Sequence, residues 1–95
     1  MKKFQNPSEA KTFTDIPNVG MKVAERFQEL GLSKPEQLKG KDAFKLYQKL
    51  NALKGERADP CLLDTFIAAV DFMNGGNPKP WWFYTKERKR KHPNL

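Results

Sequence analysis

One stretch limits the folds open to this chain more than any other: Ile16-Pro17-Asn18-Val19-Gly20-Met21-Lys22-Val23-Ala24. It reads as a tight turn that opens directly into a helix. Pro17 fixes its own φ and biases Ile16 toward extended backbone. Asn18 and Gly20 are the two residue types that most readily take a left-handed backbone angle. From Met21 the apolar pattern switches to helical spacing, with Val23, Ala24, Phe27 and Leu30 on one face. A turn feeding a helix in this way leaves several N–H groups unpaired, with the positive end of the helix dipole behind them. Such a terminus suits an anion, and phosphate is the obvious one.

The same residues resemble the hairpin of the helix-hairpin-helix family, whose usual form is apolar-x-Gly-apolar-Gly-x-x-x-Ala. Val19-Gly20-Met21-Lys22-Val23-Ala24 matches its second half, with Lys22 in the basic position after the second glycine. Asn18 stands where that form has its first glycine, which keeps the angle accessible and adds a side chain near the ligand surface. The resemblance implies that the amides of Val19, Gly20 and Met21 grip one nucleic-acid backbone without reading sequence, and that Lys22 adds a charged contact. Val19 is also the residue expected to pack inward as the hairpin's anchor. The layout of the whole chain resembles the small bacterial pathogenicity-locus or mitomycin-resistance-like helix-hairpin-helix proteins. Its first half also resembles the C-terminal domain of the competence regulator TfoX.

The remaining pattern is helical throughout. Asn6-Pro7-Ser8-Glu9 predicts a first helix running to about Phe13, with Phe4, Ala10 and Phe13 inward; it would be the first arm of the hairpin. The second arm, from about Met21 to Leu30, stops at Gly31. Ser33-Lys34-Pro35-Glu36 reads as a capping box for a short helix over 34–39 that ends at Gly40. Asp42 caps a fourth helix with Ala43, Leu46, Tyr47, Leu50 and Leu53 on its apolar side. Asp59-Pro60 starts a fifth, with Leu62, Leu63, Phe66, Ile67, Val70 and Met73 inward, and Asn74-Gly75-Gly76-Asn77-Pro78 ends it. No alternating strand pattern of useful length occurs. The expected fold is therefore all-α, with about five short helices and a boundary that separates a 1–77 domain from a 78–95 aromatic and basic segment. The turn from Leu53 to Pro60, with Lys54, Gly55 and Arg57, reads either as a degenerate second hairpin that also meets DNA or as an ordinary loop.

Charge is unevenly placed. The chain of 95 residues carries a formal net charge of +7. Residues 1–77 hold 12 Lys/Arg against 10 Asp/Glu, and residues 78–95 hold 6 against 1. Attraction to a polyanion should thus rest mainly on the C-terminal segment. Lys86-Glu87-Arg88-Lys89-Arg90-Lys91-His92 reads by default as a solvated, mobile tail with His92 exposed. Its functional reading is salt-dependent nucleic-acid attraction. Trp81-Trp82-Phe83-Tyr84 reads first as a lid over the helices, second as a platform for exposed bases, and third as a membrane-surface anchor.

Other classes find less support. The longest apolar stretch, Cys61 to Met73, is interrupted by Asp64 and Asp71, so no span and no membrane partner is expected. Met-Lys-Lys has no apolar run behind it, so the reading is cytoplasmic, without a secretory signal. A single cysteine excludes an internal disulfide, and Cys61 reads as a small buried hydrophobe. One Cys and one His cannot assemble a Cys/His zinc site. A Ser/His/Asp set would need His92, and the pairs Glu25/Glu29 and Asp64/Asp71 read as exposed helix faces. Glycine loops for nucleotides are absent, so neither cofactor nor enzyme activity is expected. Two functions remain: sequence-independent binding of a nucleic-acid backbone, DNA above all, or a module that docks a protein partner or a second copy of itself.

Overall fold

A helix that is apolar nearly all round must be covered on nearly all sides, and Pro60–Met73 is that helix here. The computed structural model describes residues 6–95. Among these it contains four α-helices: α1 (Met21–Glu29), α2 (Ala43–Lys54), α3 (Pro60–Met73) and α4 (Thr85–Lys91). Four short 3-10 turns, Pro7–Glu9, Phe13–Asp15, Pro35–Leu38 and Trp81–Tyr84, link or precede them. No strand occurs among the described residues, so the fold is all-α. Residues Leu63 to Phe66, Ala68 to Val70, Phe72 and Met73 are buried, which leaves α3 little solvent-facing surface. Phe13, Phe27 and Phe66 run through the core as a chain of rings, with centroids 5.1 and 4.9 Å apart. Phe27 thereby joins α1 to the central helix.

The local signals at the helix ends act as expected where one side chain suffices. Asp42 Oδ1 accepts the N–H groups of Phe44 and Lys45, and Asp59 Oδ1 accepts that of Cys61 with Pro60 in the first turn. Gly31, at φ +87°, closes α1: its N–H donates to Gln28 and that of Leu32 donates to Phe27. These two bonds satisfy carbonyls of the last turn of the helix, and the second needs the left-handed Gly31 in between.

Elsewhere the expectations need correction. The first arm is not a helix from Asn6 to Phe13 but two 3-10 turns separated by extended backbone at Ala10. Asp15 Oδ2 accepts the N–H groups of Lys11 and Thr12, a local bond that competes with helix continuation. Phe4 lies outside the described residues. The 35–38 turn is capped by Gln37, whose Oε1 accepts from the N–H groups of Ser33 and Lys34, rather than by Glu36. Leu53, expected inward, is 59% exposed at the end of α2. Cys61 is exposed rather than buried.

The largest correction concerns the C-terminal segment. Asp64 is fully buried and Arg88 nearly so. Arg88 Nε donates to Asp64 Oδ1 at 2.9 Å and Arg88 Nη2 to Oδ2 at 3.2 Å, while Thr85 Oγ1 donates to Oδ2 at 2.6 Å. Tyr84 donates its hydroxyl to Asp71 Oδ2 at 2.6 Å. Neither aspartate therefore belongs to an exposed face; each receives a group from 84–88. His92 is half-buried and stacks on Phe44 with centroids 3.9 Å apart, and Leu95 packs against the core. Residues 84–92 are thus fastened to α2 and α3 rather than free in solvent. A buried carboxylate is tolerable only when paired, and the one arginine it meets lies 24 residues away. The radius of gyration, 12.4 Å, is that of a compact fold of about this length.

Two outcomes follow from these contacts. Arg88→Ala leaves Asp64 buried and unpaired, so urea denaturation should show a loss of about 3–5 kcal/mol, a large share of a small domain's stability. Arg90→Ala, on the exposed side of the same helix, should leave the midpoint close to that of the parent. Burial, then the bond to Asp71 and its charge, push the Tyr84 phenol well above its ordinary value. The neutral form is thus favoured in the folded state, so stability is intact below the unfolded phenol's value near 10 and falls as pH rises past it. Tyr84→Phe should flatten that alkaline decline in a pH series of thermal melts; an identical decline would contradict the assignment.

Candidate functional site

The turn before α1 is built around two residues that face opposite ways. Val19 is fully buried and donates its N–H to the carbonyl of Ile16 at 3.1 Å. It is the inward anchor, and its amide is not available to a ligand, contrary to the expectation for that group. Asn18 takes the left-handed conformation, φ +73°. Its side chain is also committed: Nδ2 donates to the carbonyl of Lys79 at 2.6 Å and Oδ1 accepts the N–H of Trp81 at 3.2 Å. Asn18 is therefore a clamp between the turn and the aromatic segment rather than a ligand contact.

Gly20, Met21 and Lys22 are exposed. Their N–H groups have no hydrogen-bond partner among the described residues. Gly20 precedes α1 at φ −95° and ψ −172°, an ordinary extended conformation, so the left-handed angle expected there is found at Asn18 alone. A Cβ built at Gly20 meets nothing within 4 Å. Nothing inside the protein therefore requires glycine at this position; its effect is to keep the outer face of the turn bare. The termini of α2 and α3 are each closed by an aspartate, whereas α1 has neither a side-chain cap nor an acid in its first turn. Its dipole end and orphan donors are left to water, with the exposed Lys22 beside them.

The second turn is differently occupied. Gly55 ends α2 at φ +71°. Lys54 Nζ lies 2.7 Å from Glu29 Oε2, a pair that joins the ends of α2 and α1. Hydrogen bonding from Lys54, with Arg26 close by, holds the Glu29 carboxyl below the usual carboxylate range. Arg57 donates to the carbonyl of Asn94 at 3.3 Å. The loop itself is pinned by α2: Asn51 Oδ1 accepts the N–H of Ala58 at 2.8 Å, and the Tyr47 hydroxyl donates to the Ala58 carbonyl. Both cations of this turn thus have partners within the protein, and no bare helix terminus stands behind them. The structure does not bring Lys54, Gly55 and Arg57 into a copy of the Gly20–Lys22 arrangement.

Residue-level reading of the sequence missed Asn18's bonds, because they span 61 and 63 positions of chain. It also missed that the aromatic segment abuts the turn. The available signal was Asn18 itself, a polar side chain at a position where glycine would serve the backbone alone. Among the described residues no group of three or more His, Cys, Asp or Glu side chains gathers as a metal site. No helix among them is long and apolar enough to cross a membrane. Desolvation, and then Asp59, push the Cys61 thiol up, which disfavours the reactive thiolate.

Comparison with known proteins adds a family. A family model described as pathogenicity locus matches residues 6–90, from the first 3-10 turn through most of α4. A mitomycin resistance protein, McrB, from Streptomyces lavendulae is 45% identical over 83 residues, covering 87% of this chain and 79% of that protein. No solved structure matches the chain. On the strength of a match that takes in both the bare turn and the segment clamped to it, the chain belongs to the pathogenicity-locus family.

Proposed function

We propose that this protein is a small cytoplasmic module that binds a nucleic-acid backbone, DNA above all, without reading its sequence, and that the turn before α1 is its helix-hairpin-helix contact. The observation that carries this reading is the set of exposed N–H groups at Gly20, Met21 and Lys22, which have no hydrogen-bond partner among the described residues. Free donors at an uncapped helix terminus suit the oxygens of a phosphate, and the Lys22 ammonium would supply a charge-assisted partner. Lys86 and Lys89, exposed on α4, add diffuse attraction. With no base-reading set of side chains, affinity at physiological salt should be micromolar or weaker on the usual scale of non-specific binding. The resistance named for the Streptomyces protein lends this reading a biological setting, a resistance-related role, and no more than that.

A second reading, docking of a protein partner or self-association, draws on exposed side chains rather than on main-chain donors. Met21 and Leu53 are 70% and 59% exposed, apolar side chains that a docked partner would cover. Light scattering over a dilution series distinguishes it from the first: a monomeric mass throughout removes self-association.

Removing residues 85–95 would not isolate the folded part's contribution, since it strands Asp64 without Arg88. Point changes on the exposed turn are cleaner. Gly20→Glu together with Lys22→Glu should preserve the circular dichroism spectrum and melting behaviour, because both positions face open space. It should weaken binding to an arbitrary duplex at low salt by roughly 10- to 100-fold, the scale of one or two charged hydrogen bonds. Unchanged duplex affinity would remove the turn from the contact.

A further inference from the structure

Trp82 and Phe83 are 63% and 58% exposed, while the residues on either side of them are held in place. Trp81 donates its N–H to Asn18 and Tyr84 its hydroxyl to Asp71. Thr85 and Arg88 follow at once with their bonds to Asp64. A 3-10 turn repeats every three residues, so Trp81 and Tyr84 fall on one side of it and the two residues between them on the other. The outer rings are braced by the inner ones. Trp82 stands perpendicular to Trp81, with centroids 5.7 Å apart, and Phe83 stands at 77° to Tyr84, with centroids 5.2 Å apart. Two large rings are thus displayed in water on a segment too well fastened to fold them inward.

Their surroundings are cationic. Lys79 Nζ lies 4.8 Å from the Phe83 centroid. Of the six Lys or Arg from Lys79 to Lys91, Arg88 is buried against Asp64 and the one acid, Glu87, pairs with Arg90 and Lys91, so Lys79, Lys86 and Lys89 remain without an acidic partner among the described residues. An apolar protein surface would find little to balance that charge, whereas a strand of nucleic acid supplies flat rings and phosphates together. The position relative to the bare turn is fixed as well. Asn18 both forms the turn and receives the Trp81 backbone, so the Gly20–Lys22 amides and the aromatic pair move as one body.

We propose that Trp82 and Phe83 form a stacking platform for unpaired bases, and that the strand held at the turn is therefore single-stranded nucleic acid rather than intact duplex. This rests on the reading of the turn as a phosphate contact. Stacking needs a base whose face is free, which a duplex interior does not offer, and it is indifferent to base identity because every base has such a face. The aromatic pair thus chooses strandedness without choosing sequence.

The test uses the full chain and fluorescence anisotropy at low salt, with an oligothymidylate of about twelve nucleotides, within the span of known single-strand sites, and a duplex of equal length. The parent should prefer the single strand. Trp82→Ala with Phe83→Ala should lose roughly 5- to 150-fold in single-strand affinity, leave duplex affinity nearly unchanged, and melt like the parent. Trp82→Phe should retain most of the binding. An aromatic variant that binds the single strand like the parent overturns the platform; if the Gly20→Glu/Lys22→Glu variant is then still impaired, the turn's role survives without it. The reverse pattern, with the aromatic variant impaired and the turn variant unaffected, removes the turn and keeps the platform. Binding of the parent to vesicles of anionic lipid, lost on Trp82→Ala, with no affinity for the oligothymidylate, overturns the proposal in favour of a membrane surface.

Discussion

The buried pair of Asp64 and Arg88 decides the shape of this molecule. Taking a carboxylate out of water costs several kcal/mol, and the attraction of a single guanidinium offsets it only with good geometry and further donors. Here the arginine makes two bonds and Thr85 a third. The consequence reaches beyond stability. A segment with six cations and one acid would otherwise be a solvated tail. Because one of those cations has a partner inside α3, the whole segment acquires a place, and the aromatic residues ahead of it acquire one too.

From that anchor the arrangement at the candidate site follows in order. Arg88 and Tyr84 fix the segment against α3; the segment's backbone at Lys79 and Trp81 reaches the Asn18 amide; Asn18 in turn holds the left-handed corner before α1. The bare amides at Gly20 to Lys22 are consequently framed on one side by ordered chain. Such framing matters for an anion contact, because donors already held in place lose little freedom on binding. The proposed nucleic-acid role thus depends on a structural chain that begins at a buried charge on the central helix.

What could be read from the sequence, and what could not, divides by distance along the chain. Gly31, Asp42 and Asp59-Pro60 act on their own helix ends, within a few residues, and their residue types carry that meaning alone. The apolar face of α3 was legible in Leu63, Phe66, Val70 and Met73 for the same reason. Ala68, Ala69 and Phe72 lie off that stripe and are buried as well, so α3 is covered on more than the one side its pattern marks. Nothing local marks Arg88 among five neighbouring cations, or Asp64 as different from Asp42, because each is defined by the other. The short first arm was obscured differently: Asn6-Pro7 begins a helix convincingly, but Thr12 and Asp15 close their own turn three residues later. At the turn itself the residues were legible one by one, and only the roles moved, with Val19 and Asn18 spent on structure and Lys22 joining Gly20 and Met21 as a donor.

The central claim is that main-chain donors at the start of α1 receive phosphate oxygen. Amide proton and nitrogen shifts of the labelled protein, followed residue by residue during titration with a short nucleic-acid strand, address it directly. The account predicts that the Gly20, Met21 and Lys22 amides move furthest, saturate together and revert as salt is raised. Shifts confined to the cations of α4, with those three amides unmoved at saturation, would contradict it.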